Sequence, residues 1–288
     1  MSELRYYDPE TMEDKGKAPR LETLEDKQRK KNYSDRIAST EEMNIWIAKE
    51  YGSFYFIIFK MLKKDLKKQY IIRFLYICTF MNYSGLLLWG NAKKSERYMM
   101  EKDLQEILKL GTTETNKTKM ALLYNELIFI NKGGNLQVND KFCFKGIVPN
   151  IYKKSSKIRI FEDAVRSLYE KSIPSEHKKL ALLVMLLPYI NIHNNILCHN
   201  PLCAPEFQLD IIDLKKLCIM FEYSEDNKGR LKKDLLGLRV GKEKVVMFNE
   251  IDNAKSITIN PRVYYGGNVE DFKTLKGIAS YFDLNAKV

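Results

Sequence analysis

The chain repeats itself once, and that duplication constrains the fold more than any other feature of the sequence. Residues 66 to 146 line up with residues 176 to 267 at a nearly constant offset. Met81-Asn82 falls on Ile190-Asn191, Leu87-Leu88 on Ile196-Leu197, Asp103-Leu104 on Asp213-Leu214, and Asn116-Lys117 on Asn227-Lys228. VNDKFCFKG (Val138 to Gly146) then matches INPRVYYGG (Ile259 to Gly267). One insertion between Leu238 and Ile259 accounts for the large jump in offset. A chain of 288 residues built this way must bury two similar sets of apolar side chains, which suits two domains.

Each unit reads as helix, short strand, helix, turn, helix, strand, loop, strand. In the first, residues 66 to 83 form an apolar helix and 86 to 89 a short buried strand. Asp103, Leu104, Ile107 and Leu110 recur at helical spacing; Gly111 stops that helix, and Thr112 or Thr113 can cap the next. Met120, Leu123, Tyr124 and Leu127 make an amphipathic face, after which residues 127 to 130 and 136 to 138 read as strands around Asn131-Lys132-Gly133-Gly134-Asn135. The second unit repeats this with helices over 177 to 189 and 210 to 220 and a short strand over 196 to 198. A third helix is striped by Leu231, Leu235 and Leu238, and a longer hairpin covers 245 to 251 and 256 to 260. Two helices joined by a tight turn and followed by a hairpin predict an α+β, helix-rich fold with two tandem winged helix-turn-helix domains.

Outside the repeats, residues 1 to 38 hold few large aliphatics and many charges. They read as a polar arm, disordered or ordered by a partner, because they cannot bury enough apolar area to offset their ordering entropy. Ser39 and Glu42 have capping-box spacing ahead of Trp46 and Ile47, so order is expected to begin there. The resulting organisation is an arm (1–38), a helix plus first domain (39–150), a basic linker plus second domain (151–268), and a C-terminal tail (269–288). Lys153, Lys154, Lys157 and Arg159 make the linker basic. The helix expected over 39–62, with a break near Gly52, carries Trp46, Tyr51, Phe54 and Tyr55, which suit either a homodimer contact or packing within the monomer.

Charge narrows the function. Lys and Arg number 48 against 37 Asp and Glu, a net charge of +11, which points to a polyanionic partner. Residues 1 to 50 hold 10 basic and 12 acidic side chains, so the surplus lies beyond them. Arg73, Asn82 and Ser84 interrupt the most apolar stretch, 71 to 90, and the run 180 to 192 is too short to cross a bilayer; no membrane partner is expected. The polar N-terminus does not read as a secretory signal, and five irregularly spaced Cys read as reduced thiols, so a cytoplasmic location is expected.

In a helix-turn-helix the second helix of the motif enters the major groove. With the Met120 stripe taken as inward, Thr115, Thr118, Lys119 and Asn125 face away from the core, and so does Leu122. In the second unit Arg230 and Lys233 face outward, flanked by Lys228 and Lys232. Arg230 can bind guanine bidentately and is the leading candidate for base reading, whereas Asp226 opposes phosphate approach at the helix start. Lys132 and Asn135 sit at the first hairpin tip and Lys255 near the second. Lys141 and Arg262 occupy matching places after the returning strands, where phosphate contact is expected. A solvated surface is the alternative for each, and equally for Lys63, Lys64, Lys67 and Lys68.

His193, Cys198, His199 and Cys203 lack the usual zinc-ligand spacing and read as a buried thiol beside surface histidines. No phosphate-binding loop, nucleophile–base arrangement or paired-carboxylate motif stands out, so neither cofactor, metal nor catalysis is expected.

The passage from Asp103 to Gly146 resembles winged-helix replication and regulatory proteins of bacterial plasmids and phages. In those proteins an Asn-x-x-aromatic-x-x-Gly stretch commonly follows the hairpin; Asn139, Phe142 and Gly146 approximate it, as do Asn260, Tyr264 and Gly267. The architecture is also similar to tandem winged-helix plasmid initiators, which grip adjacent segments of an iterated DNA site. The resemblance implies a double-stranded DNA-binding regulator of transcription or, alternatively, a replication initiator at iterated origin sites. A further alternative is a protein-interaction module that uses such domains as docking surfaces.

Overall fold

The computed structural model describes residues 5–17, 23–58, 66–91, 94–146, 148–152, 157–204, 208–221, 223–251, 254–267 and 269–286. It is an α+β fold of helices and small antiparallel sheets, in two compact units, Met1–Ile45 and Trp46–Val288.

The first unit contains a hairpin of β1 (Arg5–Tyr7) and β2 (Asp14–Lys17) and most of α1 (Leu24–Tyr51). The helix starts well before Ser39. Asp26 N donates to Thr23 Oγ1 at 3.1 Å and Thr23 N to Asp26 Oδ2 at 3.2 Å, a reciprocal cap with the spacing that Ser39 and Glu42 share. Ser39 lies in mid-helix, so the polar segment expected as an arm includes a hairpin and about half of a long helix.

In the second unit, α1 ends at Gly52, whose φ of +76° an L side chain rarely adopts. The chain continues through β3 (Phe54–Ile57), α2 (Lys68–Cys78), β4 (Leu88–Asn91), β5 (Lys94–Tyr98), α3 (Leu104–Leu108) and α4 (Thr112–Tyr124). Then come β6 (Ile128–Ile130), β7 (Leu136–Val138), β8 (Cys143–Phe144), β9 (Ile158–Phe161), α5 (Glu162–Glu170) and α6 (His177–Leu186). The last part holds α7 (Leu214–Met220), α8 (Lys228–Leu236), β10 (Arg239–Val240), β11 (Glu243–Lys244), β12 (Val246–Ile251), β13 (Ala254–Ile259), β14 (Tyr264–Tyr265) and α9 (Phe272–Ala286).

The repeat is written into the hydrogen bonds. Asn82 Oδ1 accepts from the backbone N–H groups of Ser84 and Leu86, and its counterpart Asn191 accepts from those of His193 and Asn194. Met81 bridges Leu87 as Ile190 bridges Leu197, and Leu86 bridges Gln137 as Ile196 bridges Thr258, so Leu86-Leu87 and not Leu87-Leu88 is the counterpart of Ile196-Leu197. Asn139 Oδ1 accepts from Lys141 N and Asn260 Oδ1 from Arg262 N, shaping the same turn after each hairpin.

A four-stranded antiparallel sheet, ordered β14-β9-β3-β8, joins the two repeats. β3 precedes the first repeat and β8 closes it; β9 precedes the second and β14 closes it. Exchanging the repeats therefore maps the sheet onto itself, with Tyr55 opposite Ile160 and Phe56 opposite Arg159 at the centre. Tyr55 and Ile57 are fully buried on one face and Phe56 is buried on the other. The equivalent helices α2 and α6 also pack together. α2 is buried nearly all round, through Ile71, Ile72, Phe74, Leu75 and Ile77, as a helix in the middle of a core must be.

Three expectations change here. The helix expected over 39–62 ends at Tyr51, and Phe54 and Tyr55 lie in β3, hydrogen-bonded on both sides by β8 and β9, while 59–62 lie outside the described residues. Arg159 is not linker but the centre of β9, against the rings of Phe54, Phe56 and Tyr265 and donating to Gly267 O at 2.7 Å; Lys153 and Lys154 lie outside the described residues. The tail contains α9, which buries Leu275, Ala279 and Phe282 at helical spacing.

Candidate nucleic-acid interface

Several cations gather around α8. Leu231 and Leu235 are fully buried beneath it, so the helical period turns Lys228, Arg230, Lys232 and Lys233 toward the surface. The hairpin β12–β13, paired without irregularity from Val246↔Ile259 to Ile251↔Ala254, stands beside the helix. Between α8, the start of α7 and the hairpin lies a cleft of about 480 Å³, lined by Lys215, Lys228, Lys232, Lys255 and Phe248. Lys232 Nζ sits 5.3 Å from the centre of the Phe248 ring, which holds the ammonium over the cleft. Asn249 Nδ2 donates to Thr258 Oγ1 at 2.7 Å across the hairpin. Two acids border the cleft, each engaged: Asp213 Oδ1 caps α7 by accepting from Lys216 N at 2.8 Å, and Glu250 lies 3.7 Å from Lys255. The second pair is largely exposed, so it holds Lys255 only weakly.

Arg230 and Lys233, expected on the outward face of α8, are exposed, and of the two flanking lysines Lys232 is exposed and Lys228 half-buried. Lys232 and Lys233 part company, however: Lys232 faces the hairpin and Lys233 a different cleft on the other side of the helix. Phe248 and Lys215 were not singled out. Their signal is the hairpin's alternation and the match of α7 to the first helix of the motif, and only the fold brings them to α8.

Arg262 is not a free phosphate anchor. It pairs with Glu243 and with Asp283 of α9, the latter at 3.0 Å, and lies over the Tyr51 ring. Lys141, its counterpart in the turn, is exposed.

The first repeat is built differently. α4 is rotated relative to the face expected from its apolar spacing: Thr115, Thr118 and Leu122 are buried, while Met120 and Tyr124 are 61% and 82% exposed. The threonines can be buried because each hydroxyl is satisfied by a backbone carbonyl four residues back, Gly111 O for Thr115 at 3.1 Å and Glu114 O for Thr118 at 2.8 Å. Arg73 enters the same interface at 2% exposure and donates to Thr118 Oγ1 at 2.7 Å. Thr115 and Thr118 thus cannot touch a ligand, and Leu122 is core. Lys119 is ion-paired with Glu101 at 2.7 Å, and Asn125 Nδ2 donates to Ala121 O at 2.8 Å at the helix end. Lys132 is exposed at the hairpin tip and Asn135 is half-buried, with its N–H on Asn131 Oδ1. The outward surface of this repeat exposes large apolar side chains, Met120 and Tyr124 on α4 and Phe129 and Ile130 on β6.

The His/Cys group does not converge. His193 Nδ1 lies 2.7 Å from Asp271 Oδ1, tying its loop to the start of α9, and Cys198 is buried with its thiol pKa pushed up by burial. Among the described residues no three His, Cys, Asp or Glu side chains gather as a metal site, and no helix is long and apolar enough to cross a membrane. No protein-family model, curated protein or solved structure matches the chain.

Proposed function

We propose that the protein is a double-stranded DNA-binding regulator of transcription from a phage or plasmid, in which α8 reads the major groove and the β12–β13 hairpin acts as a wing. The two repeats are then tandem winged helices, in line with the resemblance of the Asp103–Gly146 passage to plasmid and phage proteins. The observation that carries the reading is the lysine-lined cleft between α8 and the hairpin, with Arg230 exposed on the same helix. Clustered ammonium groups on one side of a helix supply sequence-independent phosphate affinity, and a neighbouring guanidinium supplies base choice. The mechanism is occupancy: no bond is made or broken. Bound DNA displaces counterions, so affinity falls steeply with salt.

Selection of genomic fragments by the purified chain at about 150 mM salt tests this. Enrichment of a short sequence at a promoter is the expected result, and enrichment of iterated sites at an origin would assign the protein to replication initiation instead. Recovery of random fragments or none would overturn the reading. The exposed Met120, Tyr124, Phe129 and Ile130 favour a second reading for the first repeat alone, as a surface for another protein.

A further inference from the structure

α8 has a second cleft on its other side. About 520 Å³ in volume, it is walled by α8, the end of α5, the start of α6 and the β10–β11 turn. Lys233 faces it from α8, Lys171 from the end of α5, Lys179 from the first turn of α6, and Arg239 from β10. Two acids share the wall. Glu176 is occupied, accepting from Ile173 N at 3.2 Å, and Asp234 precedes the α8 C-terminus. Four cations against two carboxylates leave the cleft positive. The cations come from segments far apart in sequence, so neither composition nor spacing could have assembled them.

A helix with its side chains is about 10–12 Å across, and the major groove is about 12 Å wide with a phosphate backbone along each rim. A helix seated there brings one flank to each rim. α8 carries a lysine-lined cleft on both flanks, Lys228 and Lys232 opening onto one and Lys233 onto the other. We infer that the cleft of Lys171, Lys179 and Lys233 takes the phosphates of the DNA strand opposite to the one gripped at the hairpin, so that α8 is clamped from both sides. This rests on the DNA-binding reading and adds to it. α5 and α6, which belong to neither the hairpin nor the reading helix, become part of the DNA contact.

The test is the Lys171→Ala/Lys179→Ala double variant of the full chain, assayed over a salt series on a mixed-sequence duplex and on the fragment enriched by selection. Each phosphate contact adds about 0.9 to the slope of log K against log salt, so the slope should fall by about 1.8 on both DNAs with base preference unchanged. Phosphate-ethylation interference should disappear on one strand only, and Lys171→Arg/Lys179→Arg should restore both readouts. Both lysines are exposed, so the thermal unfolding midpoint should not move. A double variant that binds with the parent slope and two-stranded interference overturns the clamp while DNA binding stands. A parent chain that binds neither DNA overturns both.

Discussion

Arg73 Nη1 of α2 donates to Glu114 Oε1 and to Thr118 Oγ1 of α4, each at 2.7 Å, and its Nε lies 3.4 Å from His177 Nδ1 of α6. One buried cation thereby joins three helices and both repeats. Glu114 is 34% exposed and keeps its solvent when Arg73 is removed, so Arg73→Ala should lower the urea unfolding free energy by about 1–3 kcal/mol, through the space left behind and the lost bond to Thr118. Arg73→Met keeps volume without charge and should lose less. Equal losses in the two variants would show that filling the space contributes nothing.

His177 titrates as part of the same cluster. Burial, and then the Arg73 charge, push its pKa from the usual 6.5 to about 4. The unfolded chain therefore takes up the proton first, and stability is lost as pH falls from about 6.5 toward 4. Unfolding in urea at pH 7.5 and pH 5 should show this loss, roughly 3 kcal/mol at most across the whole window. The pH dependence should flatten in His177→Phe, and an unchanged slope in that variant would exclude His177 as its source.

On DNA, Arg230 and Lys232 should separate in kind. Arg230→Ala should cost about 1–3 kcal/mol on the selected sequence and relax one base position, with little effect on mixed-sequence duplex. Lys232→Ala should weaken both and lower the salt slope by about 0.9. Equal behaviour of the two variants in competition binding would remove base reading from Arg230.

Two glycines should respond in opposite directions. A Cβ at Gly267 would press on the Tyr265 hydroxyl and stand 2.7 Å from Ile192 O, beside the carbonyl that receives Arg159. Gly267→Ala should destabilise by about 1–3 kcal/mol through overpacking. Gly277, inside α9, would meet nothing within 4 Å, and Gly277→Ala should stabilise by about 0.5–1 kcal/mol. Thermal melts of the two variants check both signs.

The parts of the fold legible in the sequence are those decided locally. The hairpins around residues 128–138 and 246–259 and the Leu231/Leu235 stripe of α8 follow from period and turn chemistry. What escaped depends on distant partners. FYFI at 54–57 follows the break at Gly52, but that it continues as a strand and not as a helix depends on β8 and β9 lying beside it. α4 turns Thr115 and Thr118 inward, with their hydroxyls on carbonyls of their own helix and Thr118 also accepting from Arg73 of α2, a partner that no spacing within α4 reveals. The clefts beside α8 mix residues from four elements each, so the sequence shows only their α8 lysines and Lys255 of the hairpin.

The symmetric sheet has a consequence for how such a chain could arise. β3, ahead of the first repeat, pairs with β8 at its end; β9, ahead of the second, pairs with β14 at its end; and a single antiparallel seam in the sheet, β3 against β9, joins the two. A chain with one repeat would leave that seam bare and present it to an identical copy in the same register. The present molecule has the logic of a tethered dimer whose halves differ, the second carrying the lysine-lined clefts beside α8 and the first exposing Met120, Tyr124, Phe129 and Ile130. Cutting the backbone between Tyr152 and Lys157 should therefore not yield two independent domains. The pieces should be recovered as a complex when made together, and each alone should aggregate along its open strand.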